Sequence, residues 1–403
     1  MDHALLILIT VPLVTAFIGW STNWAGVKMI FYPQKFVGIP PILGWQGVLP
    51  RKASKFAADV GDMMTDNILD AEELVSKIDP DEVEALFGET IDEQAENIVT
   101  KVAAIMRPGY WDQLDPSVQT MIIDMIKNQT RDQSRALFDD MKDRSNEVID
   151  LKELIIGLLT GPNVDRLVRL FQEISAKEMK FIIRSGAYLG LIIGIVQAFV
   201  VLVADDWWLP PIIGIGVGLL TNFVAIQMIF RPIEPKRYFG LFTYQGLFPK
   251  RQDEISRQYG EIAANEIITP ENLIEYLTRG ETGNRISAQV LETVSGQIDQ
   301  NMPLLEQMFQ VEASPEQVQA VKVAVLSTLL SAIPEVQPDL EKYLAKRLDV
   351  EETVYGKLSS LPKPEFERIL RGVLEEDEWI LVAIGGVLGG LVGLVQGLVI
   401  LGT

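Results

Sequence analysis

The amino-acid sequence predicts an all-α integral membrane protein, a tandem duplication with four transmembrane helices, two per repeat, and two helical cytoplasmic domains. Three observations lead there. Apolar residues gather in four blocks of membrane-spanning length, the regions between them carry helical rather than alternating periodicity, and the chain matches itself at one constant shift. Of 403 residues 48% are hydrophobic, yet the formal net charge is −20. The acidic residues lie between the apolar blocks rather than among them.

The blocks cover residues 4–31, 181–203, 210–230 and 380–401. A helix needs about 20 predominantly apolar residues to cross the hydrocarbon core, and no block carries Asp, Glu or Arg in its middle. No Lys or Arg precedes the first block, so it reads as a retained span and not as a cleavable signal peptide. Cations follow the first and third blocks: Lys28, Lys35, Arg51, Lys52 and Lys55, then Arg231, Lys236, Arg237, Lys250 and Arg251. The linker 204–209 has none. The excess of cations on one side of short loops predicts both termini and the linker outside, and both large domains inside.

A shift of 199 residues carries Thr22-Asn23 onto Thr221-Asn222, and Met29-Ile30-Phe31 onto Met228-Ile229-Phe230. It also carries Gln46-Gly47 onto Gln245-Gly246, and Pro50-Arg51-Lys52 onto Pro249-Lys250-Arg251. The same shift still holds at Pro116 and Pro315, and at Gly190 and Gly389. One shift held across a whole unit is the mark of a repeat. Repeat one is 1–203, with transmembrane 4–31, helical domain 32–180 and transmembrane 181–203. The external linker 204–209 follows. Repeat two is 210–403, with transmembrane 210–230, helical domain 231–379 and transmembrane 380–401. Two crossings per repeat give both repeats one orientation, hence a pseudo-twofold bundle about the membrane normal.

Gly385, Gly389, Gly393 and Gly397 recur every fourth residue, and Gly186, Gly190, Gly194 and Ala198 occupy the matching places. This spacing stacks small residues on one helix face and lets another backbone approach closely. The partner is a helix of the same chain or of a second copy. Asn23, Asn222, Gln197 and Gln396 are polar residues within the spans, which should face the bundle interior. They serve either as interhelical hydrogen bonds or as the lining of a solute path. No intramembrane carboxylate completes an ion relay with them.

After the first and third blocks, residues 32–52 and 231–251 are rich in Pro, Gly and aromatics and cannot form a regular helix. Their aromatic content suits the headgroup layer. Pro50 and Pro249 suit a first helical position, and Arg51, Lys52, Lys250 and Arg251 beside free helix-start N–H groups would hold an anionic lipid headgroup. The competing reading makes these cations topology anchors. In the water-exposed regions, Asp79-Pro80, Asp115-Pro116, Thr269-Pro270 and Ser314-Pro315 mark helix starts, and Gly88 and Pro108-Gly109 mark stops. The last helix of each domain is expected to run unbroken into the membrane.

The sequence contains no cysteine and one histidine, His3. Thiolate and histidine chemistry, zinc and haem are thereby excluded, and no cofactor or metal is expected. The acidic balance excludes a nucleic-acid partner. No phosphate loop, nucleophile elbow or metal-ligand spacing is present.

The run Gly19-Trp20-Ser21-Thr22-Asn23 to Pro33, ending in Leu49-Pro50-Arg51-Lys52, resembles the YheB/YjiN-like bacterial membrane protein family, domain of unknown function 445. Repeat two fits its motif better, at Gly218, Thr221-Asn222, Ala225-Ile226, Phe230, Pro232, Gly246 and Pro249-Lys250-Arg251. Gly26 and Val27 depart from it in repeat one. The resemblance implies a multi-pass protein of the bacterial inner membrane and brings no catalytic activity. The expected function is a non-enzymatic, homo-oligomeric membrane scaffold or lipid-associated assembly, with membrane lipids as partners. The alternative is a channel or transporter for a small or lipidic solute through the helix bundle. An enzyme working with carboxylates alone ranks last.

Overall fold

A computed structural model of the chain describes residues 3–39, 43–145, 149–203, 206, 208–238, 240, 242–375 and 378–400. In chain order the first half forms α1 (His3–Phe31), β1 (Val37–Ile39), β2 (Leu43–Trp45), α2 (Val48–Arg51), α3 (Ala53–Asn67), α4 (Ala71–Ser76), α5 (Pro80–Met106), α6 (Pro116–Asp143), α7 (Leu151–Leu159), α8 (Val164–Ile174) and α9 (Ala176–Val203). The second half forms α10 (Leu209–Phe230), β3 (Lys236–Tyr238), β4 (Phe242–Tyr244), α11 (Leu247–Lys250), α12 (Gln252–Ile262), α13 (Pro270–Thr278), α14 (Gly280–Phe309), α15 (Pro315–Arg347), α16 (Val350–Ser360), α17 (Lys363–Glu375) and α18 (Glu378–Ile400). The starts of α2, α3, α4, α6, α7 and α8 fall 199 residues before those of α11, α12, α13, α15, α16 and α17.

Two compact units result. The first gathers Met1–Ile68, Ile155–Ile262 and Glu351–Thr403. In it α1 packs along α9, and α10 along α18; α1 also meets α10 and α18, and α9 meets α10, closing a four-helix bundle. Its outward residues, among them Leu13, Phe17, Ile192, Phe199, Phe223 and Val395, are apolar and exposed, as a surface facing hydrocarbon must be. The second unit gathers Leu69–Leu154 and Ala263–Val350. Its core sets Val102, Ala103 and Met106 of α5 against Ile298, Met302 and Phe309 of α14 and Val321 of α15. Helices of both expected domains, 32–180 and 231–379, thus contribute to one core. The narrow apolar stripe of α5 closes a core only with helices from the other half.

The helix starts were legible. Asp79 accepts from Asp81 N at 3.0 Å, Thr269 from Asn272 N at 3.1 Å, and Ser314 forms a capping box with Gln317. Gly88 does not stop α5, because one glycine costs a helix only about 1 kcal/mol. The expected continuous helix through 165–183 breaks at Ser175, a buried residue between α8 and α9. For 365–380, residues 376 and 377 lie outside the described set, as do Ala204, Asp205 and Trp207 of the linker.

The all-α expectation needs one amendment. The segments 32–52 and 231–251 each fold as a short antiparallel hairpin, with Val37 opposite Trp45 and Lys236 opposite Tyr244. Strand pairing satisfies backbone groups in a stretch whose Pro and Gly forbid helix, and it turns the chain back on itself. By length and composition five helical segments could cross a membrane, one more than the four blocks. The fifth, Pro315–Ser360, carries Lys322, Lys342, Lys346 and Arg347, and Lys322 pairs with Asp299 at 2.7 Å.

Candidate functional site

Glycines along the seams of the apolar helix pairs are buried against backbone. A Cβ at Gly190 would lie 2.5 Å from Thr15 O, and one at Gly194 2.7 Å from Pro12 Cα. At Gly186 it would strike the Gly19 carbonyl. In the other pair Gly389 faces Gly214, Gly385 faces Gly218, and Gly393 faces Pro210. Gly397 is buried in α18 and Ala198 in α9. Both stripes therefore face a helix of the same chain, which the spacing alone left open.

Each pair is fastened by an asparagine. Asn23 Nδ2 donates to Ile182 O at 2.6 Å, and Asn222 Nδ2 donates to Leu381 O at 2.7 Å. The missing side chains at Gly186 and Gly385 leave room for these carboxamides: a Cβ at Gly186 would fall 2.6 Å from Asn23 Nδ2. The Oδ1 atoms of Asn23 and Asn222 are buried without a hydrogen-bond partner among the described residues. The outer polar pair is unequal. Thr15 Oγ1 donates to Gln197 Oε1 at 2.8 Å, whereas Gly214 stands at the corresponding place near the buried Gln396.

The hairpins build the cationic end of the bundle. Gln46 Nε2 donates to Gln34 O and Gln245 Nε2 to Ile233 O, both at 2.8 Å. A Cβ at Gly47 would lie 2.7 Å from Phe31 C, and one at Gly246 2.7 Å from Phe230 C. The repeated Gln-Gly thus ties each hairpin base and lets the following short helix return beneath the helix it left. Leu49 and Phe248 are buried there, and the rings of Phe230 and Phe248 stack at 5.1 Å.

A largely apolar cavity of about 60 Å³ opens at this end. Five pairs of its lining residues stand 199 apart: Ile30 and Ile229, Phe31 and Phe230, Leu49 and Phe248, Met179 and Glu378, Ile182 and Leu381. It extends past this symmetric set towards Val48, Phe56, Phe171, Ser175 and Glu178. None of these residues, Glu178 included, was singled out from the sequence. The only local signal was a carboxylate at the mouth of an apolar run.

The four candidate headgroup cations do not share one fate. Arg51 and Lys250 are exposed, with the Arg51 guanidinium 5.9 Å from the Trp45 ring centre. Lys52 is half-buried. Arg251 is engaged within the chain: its Nη1 donates to the buried Glu178, and its Nε donates to Glu254 at 2.8 Å. Its Nη2 is buried without a hydrogen-bond partner among the described residues. Lys177 also donates to Glu254. Hydrogen bonds from Arg251, then from Lys177, lower the pKa of Glu254 to about 2. Nor do Pro50 and Pro249 open a helix. Each is the third residue of a four-residue turn, and the Arg51 and Lys52 amides are already bonded to Gly47 O and Val48 O.

Residues 13–145 match the family described as Protein of unknown function (DUF445). A UPF0754 membrane protein of Bacillus velezensis is 38% identical over 86 residues, 21% of this chain and 22% of the relative. YheB of Bacillus subtilis, also a UPF0754 membrane protein, is 36% identical over 90 residues, 21% of this chain and 24% of the relative. A UPF0754 membrane protein of a Synechococcus species is 28% identical over 175 residues, 43% of this chain and 40% of the relative. The chain thus spans well under half the length of these relatives. No solved structure matches it. The resemblance carried by Thr22-Asn23 and Pro50-Arg51-Lys52 is to this family, and with its apolar helices the chain is a membrane protein.

Proposed function

We propose, from the premise that this is a membrane protein resembling the DUF445 and UPF0754 proteins, that it is a non-enzymatic, lipid-associated membrane scaffold. A duplicated helical hairpin forms its bundle, with α1, α9, α10 and α18 as the spans. The fifth apolar segment stays in water, because each Lys or Arg at bilayer depth costs about 2.5–3.5 kcal/mol. Positive-inside reasoning places the hairpins, Arg51 and Lys250 on the cytoplasmic side of the bacterial inner membrane, with the helical units, and both termini outside.

The observation that carries the scaffold reading is the use made of Asn23 and Asn222. Each spends its amide on the carbonyl of its neighbouring helix, where it acts as a fastener. The glycine stripes are occupied within the chain, so a second copy would meet other faces. The channel reading keeps one support, the unpartnered Oδ1 atoms of the same two residues.

The native chain lacks cysteine, so single cysteines at Thr100 and Gln300 report topology cleanly. Both should be labelled from the cytoplasmic face; labelling from opposite faces overturns the duplication. In vesicles, the wild type and an Asn23→Leu, Asn222→Leu variant should both pass small solutes no faster than empty vesicles do. Flux that the double variant abolishes would make the protein a channel.

A further inference from the structure

We infer that the cavity at the cationic end of the bundle holds the first part of one acyl chain of an anionic phospholipid. The inference deepens the scaffold reading by naming the lipid and its seat. Three features point to a hydrocarbon chain. The walls are aliphatic and aromatic apart from Ser175, Glu178 and Glu378. The volume of about 60 Å³ is roughly four times what one water needs, yet few wall groups could hold water there. Among its half-buried members, Ile30, Met179 and Leu381 lie on α1, α9 and α18, helices whose outward faces meet lipid.

Charge decides which part of the lipid enters. Glu178 is buried, its Oε2 has no hydrogen-bond partner among the described residues, and Glu378 stands on the same wall. Each is already paired, Glu178 with Arg251 and Glu378 with Arg371 at 3.1 Å, and the described lining residues include no cation to receive a phosphate. Outside, the exposed cations Lys28, Arg51, Arg231 and Lys250 each lie one or two residues from a lining residue, namely Ile30, Leu49, Phe230 and Phe248. A phosphate satisfied by that collar leaves the adjoining part of its acyl chain to fill the cavity. The cavity lies where five pairs of equivalent residues converge. One site per chain follows, with its walls supplied by both halves.

Full-length protein in vesicles is photolabelled with phosphatidylglycerol carrying a diazirine near the carbonyl end of one acyl chain. Adducts should concentrate on Met179, Ile182, Ile229 and Leu381. Adducts confined to outward residues such as Phe199 and Val395 overturn the proposal, and this arm needs no variant to fold. In native mass spectrometry the wild type should retain one phosphatidylglycerol per chain after detergent washing. Ile182→Trp and Leu49→Trp should each lower that occupancy at least fivefold, and the outward Val395→Trp should not. Arg51→Gln with Lys250→Gln should abolish the preference for phosphatidylglycerol over phosphatidylcholine. Equal retention by wild type and both filled variants sinks the site. Because Thr100 and Gln300 labelling is read separately, loss of the lipid seat with topology intact leaves the scaffold standing.

Discussion

The two apolar helix pairs solve one packing problem alike and differ in what surrounds the solution. In α1–α9 and α10–α18 alike, glycines bring backbones together and an asparagine reaches the carbonyl 159 residues further along. Around this shared seam the pairs diverge. Among the described residues, α1–α9 adds a Thr15–Gln197 hydrogen bond, where α10–α18 has Gly214 in place of the threonine. The backbone contacts are the part both halves share. The Thr15–Gln197 hydrogen bond is where they differ.

Breaking the buried ion pair of Arg251 and Glu178 should have the largest effect. Arg251→Met leaves the Glu178 carboxylate buried and unpaired, and should cost about 3–5 kcal/mol in denaturant unfolding from detergent. Adding Glu178→Met should restore most of that loss; no restoration would show that Arg251 acts through packing alone. The shared seam comes next. Gly186→Leu and Gly385→Leu each push a side chain into the opposing backbone and should cost about 1–3 kcal/mol or more. Similar losses sharpen the comparison, whereas a tolerated substitution in one pair breaks it. Asn23→Leu and Asn222→Leu should each cost about 0.6–2 kcal/mol. Gln197→Leu should cost more than Gln396→Leu, because only Gln197 has the threonine; thermal melting in micelles orders these four.

The smallest effect is on pH. The Glu254 pKa falls from 4.5 to about 2 through its hydrogen bonds with Arg251 and Lys177. Its stabilisation is therefore whole above about pH 4.5 and fades as pH drops towards 2. The Glu254 side chain is 42% exposed, so solvent screening holds the contribution below about 1 kcal/mol. Glu254→Gln should remove this acid limb and leave the melting temperature at neutral pH close to the variant's own value at pH 4.

The amino-acid sequence by itself determined the apolar spans, the helix starts and the glycine faces. These are local properties: span length and hydropathy add residue by residue, Asp79, Thr269 and Ser314 cap their own amides, and a four-residue period marks one helix side. The Pro- and Gly-rich segments were readable as non-helical but not as hairpins, since pairing depends on where two strands meet. Only the tertiary structure decided that the glycine stripes close within the chain, that α5 shares a core with α14 and α15, and that Arg251 belongs to Glu178. It also decided the cavity, whose walls come from helix ends up to 351 residues apart, Ile30 and Leu381. A one-dimensional pattern records which side chains must be buried. Which distant group covers each of them is a property of the path the chain takes through space.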